Sequence, residues 1–269
     1  MRKFCVLWAA IVLVACTTLS AQELYVFAEP ASNMAAHSLG VRITSKGMPG
    51  NDFRNRMTPE VMFGFSKNLM VHTQGFFSNY DGGYKFEGGS LYAKYRFYAD
   101  DKVQTHFRMA AFGRISGSNR KTFSRDINLQ GDNSGLQGGL IFTQLLHKVA
   151  FSSTIGFSHA FKDVNKQIFG APQPTNMLNY SFSTGYLLAP TVYKNYKQPN
   201  FNVYLELLGK TDPISGQSYV DIAPAAQVIL NSRTLLDLGY RFQAAGNLEN
   251  RFDKSAWLIR LELNFYNVL

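Results

Sequence analysis

The chain has 269 residues, 46% apolar and 14% aromatic, with 27 Lys and Arg against 18 Asp and Glu for a formal charge of +9. The positive residues fall singly, not in arms or stripes, which argues against a nucleic-acid partner. Cysteine chemistry is confined to Cys5 and Cys16, and no CxxC, HExxH, Walker or GxGxxG motif occurs, so no cofactor and no cysteine metal site is expected.

The first element is an export signal. Met1-Arg2-Lys3 is basic, Phe4 to Ala15 is apolar, and Leu19-Ser20-Ala21 offers small residues for cleavage. Twelve apolar residues are too few for a stable membrane helix. Cleavage after Ala21 removes both cysteines, and with Arg2 and Lys3 gone the charge falls from +9 to +7. Leu13-Val14-Ala15-Cys16 also fits a lipoprotein processing site, with Cys16 lipidated. The expected division is 1–21 signal, 22–36 periplasmic segment and 37–269 barrel.

From residue 37 onward, apolar and polar residues alternate in segments of about ten, the pattern of transmembrane strands. In the last segment Trp257, Ile259, Leu261, Leu263 and Phe265 form one face, and Ala256, Leu258, Arg260, Glu262 and Asn264 the other. Twelve strands are predicted: 37–46, 57–66, 68–79, 86–99, 102–117, 133–146, 148–161, 177–189, 200–210, 217–230, 233–245 and 255–267. The fold class is all-β, a closed antiparallel transmembrane barrel, because an open edge cannot sit in hydrocarbon. A soluble sandwich would alternate too, but its strands average five or six residues.

The links alternate short and long, as periplasmic turns and outer loops do. Short ones are predicted near 66–68, 100–101, 146–148 and 231–232, with one long exception, Ala189 to Pro199. The long links 118–132 and 162–176 are expected to be surface exposed. Pro224 removes a ladder donor and predicts a bulge or break in strand ten. Phe112 falls on the polar face of strand five, against the pattern.

The polar face should line the lumen. Its basic candidates are Arg42, Lys94, Arg96, Arg108, Arg114, Arg241 and Arg260, gathered mainly on strands one, four and five. Its acidic candidates are Glu206, Asp221, Asp237 and Glu262, on strands nine to twelve. Such segregation sets a transverse field in an open pore, or else the charges pair within a filled core. His72, Arg96 and His106 should form an inward row near the periplasmic mouth, a basic or hydrogen-bonding patch more than a metal site. Ser152, Thr154 and Ser158 share a face, but no His of matching parity accompanies them, so no enzyme is expected. The expected function is a porin-like passive path for small solutes, with modest anion preference. The alternatives are a structural or partner-binding barrel with a filled lumen and, in third place, a membrane enzyme. Partners would be outer-membrane lipid, the solutes, and the assembly machinery during insertion; the sequence is silent on oligomeric state.

The organisation resembles outer-membrane barrels of Bacteroidota: Leu19-Ser20-Ala21-Gln22 looks like the processing region of that group's secreted proteins, and Glu29-Pro30-Ala31-Ser32-Asn33-Met34 looks like the start of a small barrel family. More loosely, residues 22–269 are similar to the transporter-like barrel family named for phenol degradation, a resemblance that implies a passive route for small molecules. It transfers no catalytic or ligand-binding residue. The ending Phe265-Tyr266-Asn267-Val268-Leu269 departs from the terminal aromatic residue of such barrels.

Overall fold

The computed structural model describes residues 25–50, 52–121, 124–161, 174–192 and 197–269. Signal, lipidation site and the link 162–173 lie outside these residues. Among the described residues twelve strands form: β1 (Ser38–Met48), β2 (Arg54–Gly64), β3 (Leu69–Ser78), β4 (Lys85–Lys102), β5 (Thr105–Ser118), β6 (Gly135–Leu146), β7 (Val149–Ala160), β8 (Asn176–Ala189), β9 (Asn200–Thr211), β10 (Ser218–Leu230), β11 (Thr234–Gly246) and β12 (Ser255–Phe265). Each pairs antiparallel with its neighbours in sequence, and β12 pairs with β1 to close the barrel. Closure satisfies the backbone groups that a free edge would leave to lipid.

Alternation determines which side chains face out. On β12, Ile259, Leu261, Leu263 and Phe265 are exposed, while Ala256, Leu258, Arg260, Glu262 and Asn264 are buried inside. The other strands repeat this, leaving an apolar exterior around a polar interior. That is the inverse of a soluble sandwich and the distribution of a transmembrane barrel of the outer-membrane type. The predicted seam is present: Arg42 pairs with Glu262 in register, and Thr44 with Arg260.

Three irregularities move residues from their expected places. The turn between β4 and β5 is Val103-Gln104, not Asp100-Asp101, because β4 runs three residues further than the alternation suggested and β5 begins only at Thr105. On β4 the register shifts opposite Phe76 and Phe77, and Gly88 at the shift has φ +141°. A Cβ there would sit 2.0 Å from the Gly117 carbonyl oxygen, so only glycine fits. The extra residue reverses parity and turns Glu87 inward. On β10, Ala223 and Pro224 lack partners on β11 while Pro224 still aligns with Leu205 of β9, a local break. The bulge itself falls earlier, between Val220 and Asp221.

Two segments expected outside the barrel lie within it. The described part of 22–36 enters from the short-turn end, where β1 begins, and runs into the lumen. Tyr25 and Val26 are buried with Leu145, Ala150, Tyr204 and Leu258, apolar residues on an otherwise polar wall. Ala31 is buried with Ala110 and Ile141. This N-terminal arm is therefore lumenal, not periplasmic. The link between β5 and β6, expected at the surface, folds into the opposite mouth. Its Ile127 and Leu129 are buried with Ala160, Met177, Tyr219 and Leu248. In both cases apolar side chains set among polar ones are buried against apolar positions of the inner wall.

Candidate functional site

The arm is held by wall side chains that answer its backbone. Glu206 accepts the backbone N–H groups of Val26 at 2.9 Å, Phe27 at 2.9 Å and Ala28 at 2.7 Å, and the Ser183 hydroxyl at 3.1 Å. Thr143 Oγ1 accepts from Ala31 at 2.8 Å. Lys94 Nζ donates to the carbonyls of Pro30 at 2.6 Å and Ser32 at 2.8 Å, and Arg108 donates to the Ser32 hydroxyl at 2.9 Å. Extended backbone inside a barrel needs such partners, since its N–H and C=O groups have left water. Glu29 adds a charge contact, 3.2 Å from Arg42 and 3.7 Å from Lys94. Burial would raise its carboxyl pKa, but Arg42, Lys94 and His72 outweigh this and hold it at about 2.

The remaining predicted lumen residues all point inward, mostly into pairs. Arg42 bridges Glu262 at 2.8 Å and Glu60 at 3.4 Å. Asp221 takes Arg241 at 3.0 Å and also the buried Arg251. Asp237 accepts from Gln227 at 2.9 Å and lies 3.4 Å from Arg260. The segregated field expected across the lumen is thus largely cancelled. Arg241 and Arg260 pair on the acidic side, and Glu29, Glu60 and Glu87 bring carboxylates to the basic side.

The inward row does not form. His72 sits opposite Tyr92 and bonds Glu60 through Nδ1 at 2.6 Å. Arg96 sits opposite Ala110, and His106 opposite Asp101. The displaced turn and a bulge between Arg96 and Tyr98 carry the three to different levels. Asp101 instead joins His106 at 3.2 Å and Arg108 at 2.9 Å. Ser152 bonds the Thr143 hydroxyl at 2.9 Å, and Ser158 receives Asn179 Nδ2 at 2.6 Å.

The inward loop is fixed by a second network. Asp132 accepts from Arg56 at 2.6 Å and from Arg120. Those two guanidiniums hold its carboxyl well below the usual range although burial opposes them. Arg56 also reaches Glu87 at 2.9 Å and the Gln130 carbonyl at 3.0 Å. Gly131, at φ +115°, passes so close that a Cβ would lie 2.7 Å from the Arg56 guanidinium. Across the mouth, Asp126 binds Lys210 at 2.8 Å and the Tyr219 hydroxyl at 2.9 Å.

Between loop and arm lies a chamber of about 290 Å³, with Phe27, Ala28 and Glu29 on one side and Asp126 to Gln130 on the other. Five cations line it, Lys46, Arg56, Arg114, Lys210 and Arg241. Three of them are paired as described. Among the described residues Lys46 donates to Gln130 Oε1 alone, at 3.1 Å, and Arg114 to Gln74 Oε1 at 2.7 Å and Ser90 Oγ at 3.3 Å. Among the described residues these two lining cations have no carboxylate. Lys46, Arg56, Glu60 and Glu87 were missed in sequence. Lys46 shares the parity of Arg42 and could have been found, whereas Glu87 is inward only through the bulge.

No family model and no curated protein matches the chain. Among solved structures it is similar to the NanC porin, at 13% identity and TM-score 0.48, covering 84% of this chain and 98% of that one. It is also similar to outer membrane phospholipase A from Escherichia coli, at 8% identity and TM-score 0.42, over 94% and 96% of the two chains. OmpT, an outer membrane protein of Vibrio cholerae, aligns at 7% identity and TM-score 0.37, over 87% and 99%. The barrel assignment rests on this chain's own strand pairing.

Proposed function

We propose that this protein is an outer-membrane barrel giving small solutes a passive path, with a preference for anions, and that its N-terminal arm closes the path at rest. The supporting observation is the chamber between arm and loop, where Lys46 and Arg114 form no ion pair among the described residues, although Glu29, Asp126 and Asp253 also line it. Cations left without a direct partner in a constriction favour anions. The arm contributes no strand to the sheet, so its departure leaves all twelve pairings in place. Its one charged residue within 25–36 is Glu29, so departure also makes the lumen more positive.

In this reading the signal is removed on export, the short turns face the periplasm, and lipid surrounds the exterior. Assembly machinery handles insertion, and the lumen carries no enzyme activity and no cofactor. A second reading, a scaffold with a permanently filled lumen, is favoured by the arm and the loop both lying inside. Planar-bilayer conductance of the purified barrel, with and without residues 25–33, separates the two.

A further inference from the structure

We infer that the chamber is a binding site for a compact, ring-bearing monocarboxylate, gripped by Arg114 and Lys46 with its ring against Phe27, Tyr92 and Phe112. This rests on the proposed transport reading and names the solute class that the chamber selects.

Arg114 is 9% exposed, yet its Nε has no partner among the described residues. The same holds for the hydroxyl of Tyr92, which is 3% exposed. The two are neighbours, with the guanidinium 5.2 Å from the Tyr92 ring centroid. Buried donors in a folded wall are normally satisfied, so two adjacent ones lining a chamber point to an acceptor that enters it. A guanidinium held by hydroxyl and amide oxygens keeps its full charge available, and its planar fork matches a carboxylate. Lys46 brings a second cation to the same space, tethered only by a side-chain amide of the inward loop.

The rest of the ligand is set by the walls. Phe112 breaks the polar parity of β5 to face the chamber, and stacks on Tyr92 with centroids 5.7 Å apart. Phe27 of the arm supplies a third ring. Such faces suit a flat body. The volume, about 290 Å³, is at the lower edge of the roughly 300–1,000 Å³ range of small-molecule pockets, so the ligand is compact.

The test uses the full-length barrel in detergent, with benzoate as probe, benzamide as its uncharged counterpart and acetate as the carboxylate without a ring. Calorimetry is expected to detect benzoate, with benzamide and acetate each at least tenfold weaker. Arg114→Gln is expected to weaken benzoate at least tenfold, and Arg114→Lys less. Phe112→Leu, which keeps both cations, is expected to weaken benzoate while leaving acetate unchanged. That variant keeps the proposal testable if Arg114→Gln misfolds. Equal binding of benzoate and benzamide, or benzoate binding unchanged in Arg114→Gln or Phe112→Leu, overturns the site. Conductance of the barrel with and without residues 25–33 separates the two readings. Benzoate binding to the full-length barrel with neither form conducting retains the site and removes transport, whereas conductance of the deleted form with no benzoate binding to the full-length barrel retains transport and removes the site.

Discussion

Glu206 in the wall of β9 accepts the backbone N–H of Val26 at 2.9 Å, across 180 residues of chain. One carboxylate with three arm N–H groups is the firmest attachment of the arm, and it lies at mid-strand, well inside the barrel. Glu206→Ala leaves those donors without their acceptor, at about 1–3 kcal/mol for each that stays buried and unsatisfied. The arm is expected to leave while the barrel stays closed. Hydrogen exchange at Val26, Phe27 and Ala28 should rise, with strand amides unaffected. Unchanged protection at those three positions contradicts the anchoring role.

Acid is expected to loosen the same arm. The Glu29 carboxyl is depressed to about 2 when docked, against an ordinary value of 4.5. A depressed carboxyl contributes its attraction fully above the undocked value and loses it as pH falls through the docked one. Arm docking should therefore hold above about 4.5 and weaken from there toward 2. Glu29→Gln should show arm exchange that is already raised at neutral pH and flat across that window. A variant that keeps the wild-type pH response rules out Glu29 as its source.

The inward loop should depend on Asp132. Asp132→Ala leaves Arg56 and Arg120 short of a buried partner, a change that typically costs about 3–5 kcal/mol. Loss of protease resistance between 119 and 134 is expected before any loss of barrel β-structure. Gln130→Ala should have a smaller effect, because Arg56 bonds its backbone carbonyl and not its side chain. Equal resistance in wild type and Asp132→Ala contradicts the network.

Orientation can be read with single cysteines, since the chain's own two are Cys5 and Cys16. Ile214 and Val103, at opposite ends of the barrel, are 80% and 72% exposed. Ile214→Cys should react with an impermeant maleimide on intact cells, and Val103→Cys only after permeabilisation. The reverse pattern inverts the topology.

The wall of this barrel was legible because period-two alternation is written separately into each strand. Trp257 to Phe265 and Leu236 to Phe242 show their outward face without reference to any partner. Depth was not legible. The level of His72 relative to His106 depends on where β4 turns and where it bulges, and neither leaves a periodic trace. The arm and the inward loop were missed because their anchors are long-range. Nothing near Val26 signals Glu206, and nothing near Asp132 signals Arg56. The lumen contents did leave a trace as apolar residues on the polar face. Leu258 lies against the arm and Phe112 faces the chamber. Violations of alternation were the closest the sequence came to the candidate site.

Closure of a solute path by the arm is tested most directly by conductance across a planar bilayer. The full-length barrel is expected to show few steady openings at neutral pH. Deletion of residues 25–33 should produce stable open steps, with a reversal potential under a salt gradient displaced toward the anion. Lys46→Gln with Arg114→Gln in that background should move it back toward zero. A deleted barrel that is folded yet silent, or full-length protein as open as the deleted one, contradicts the account.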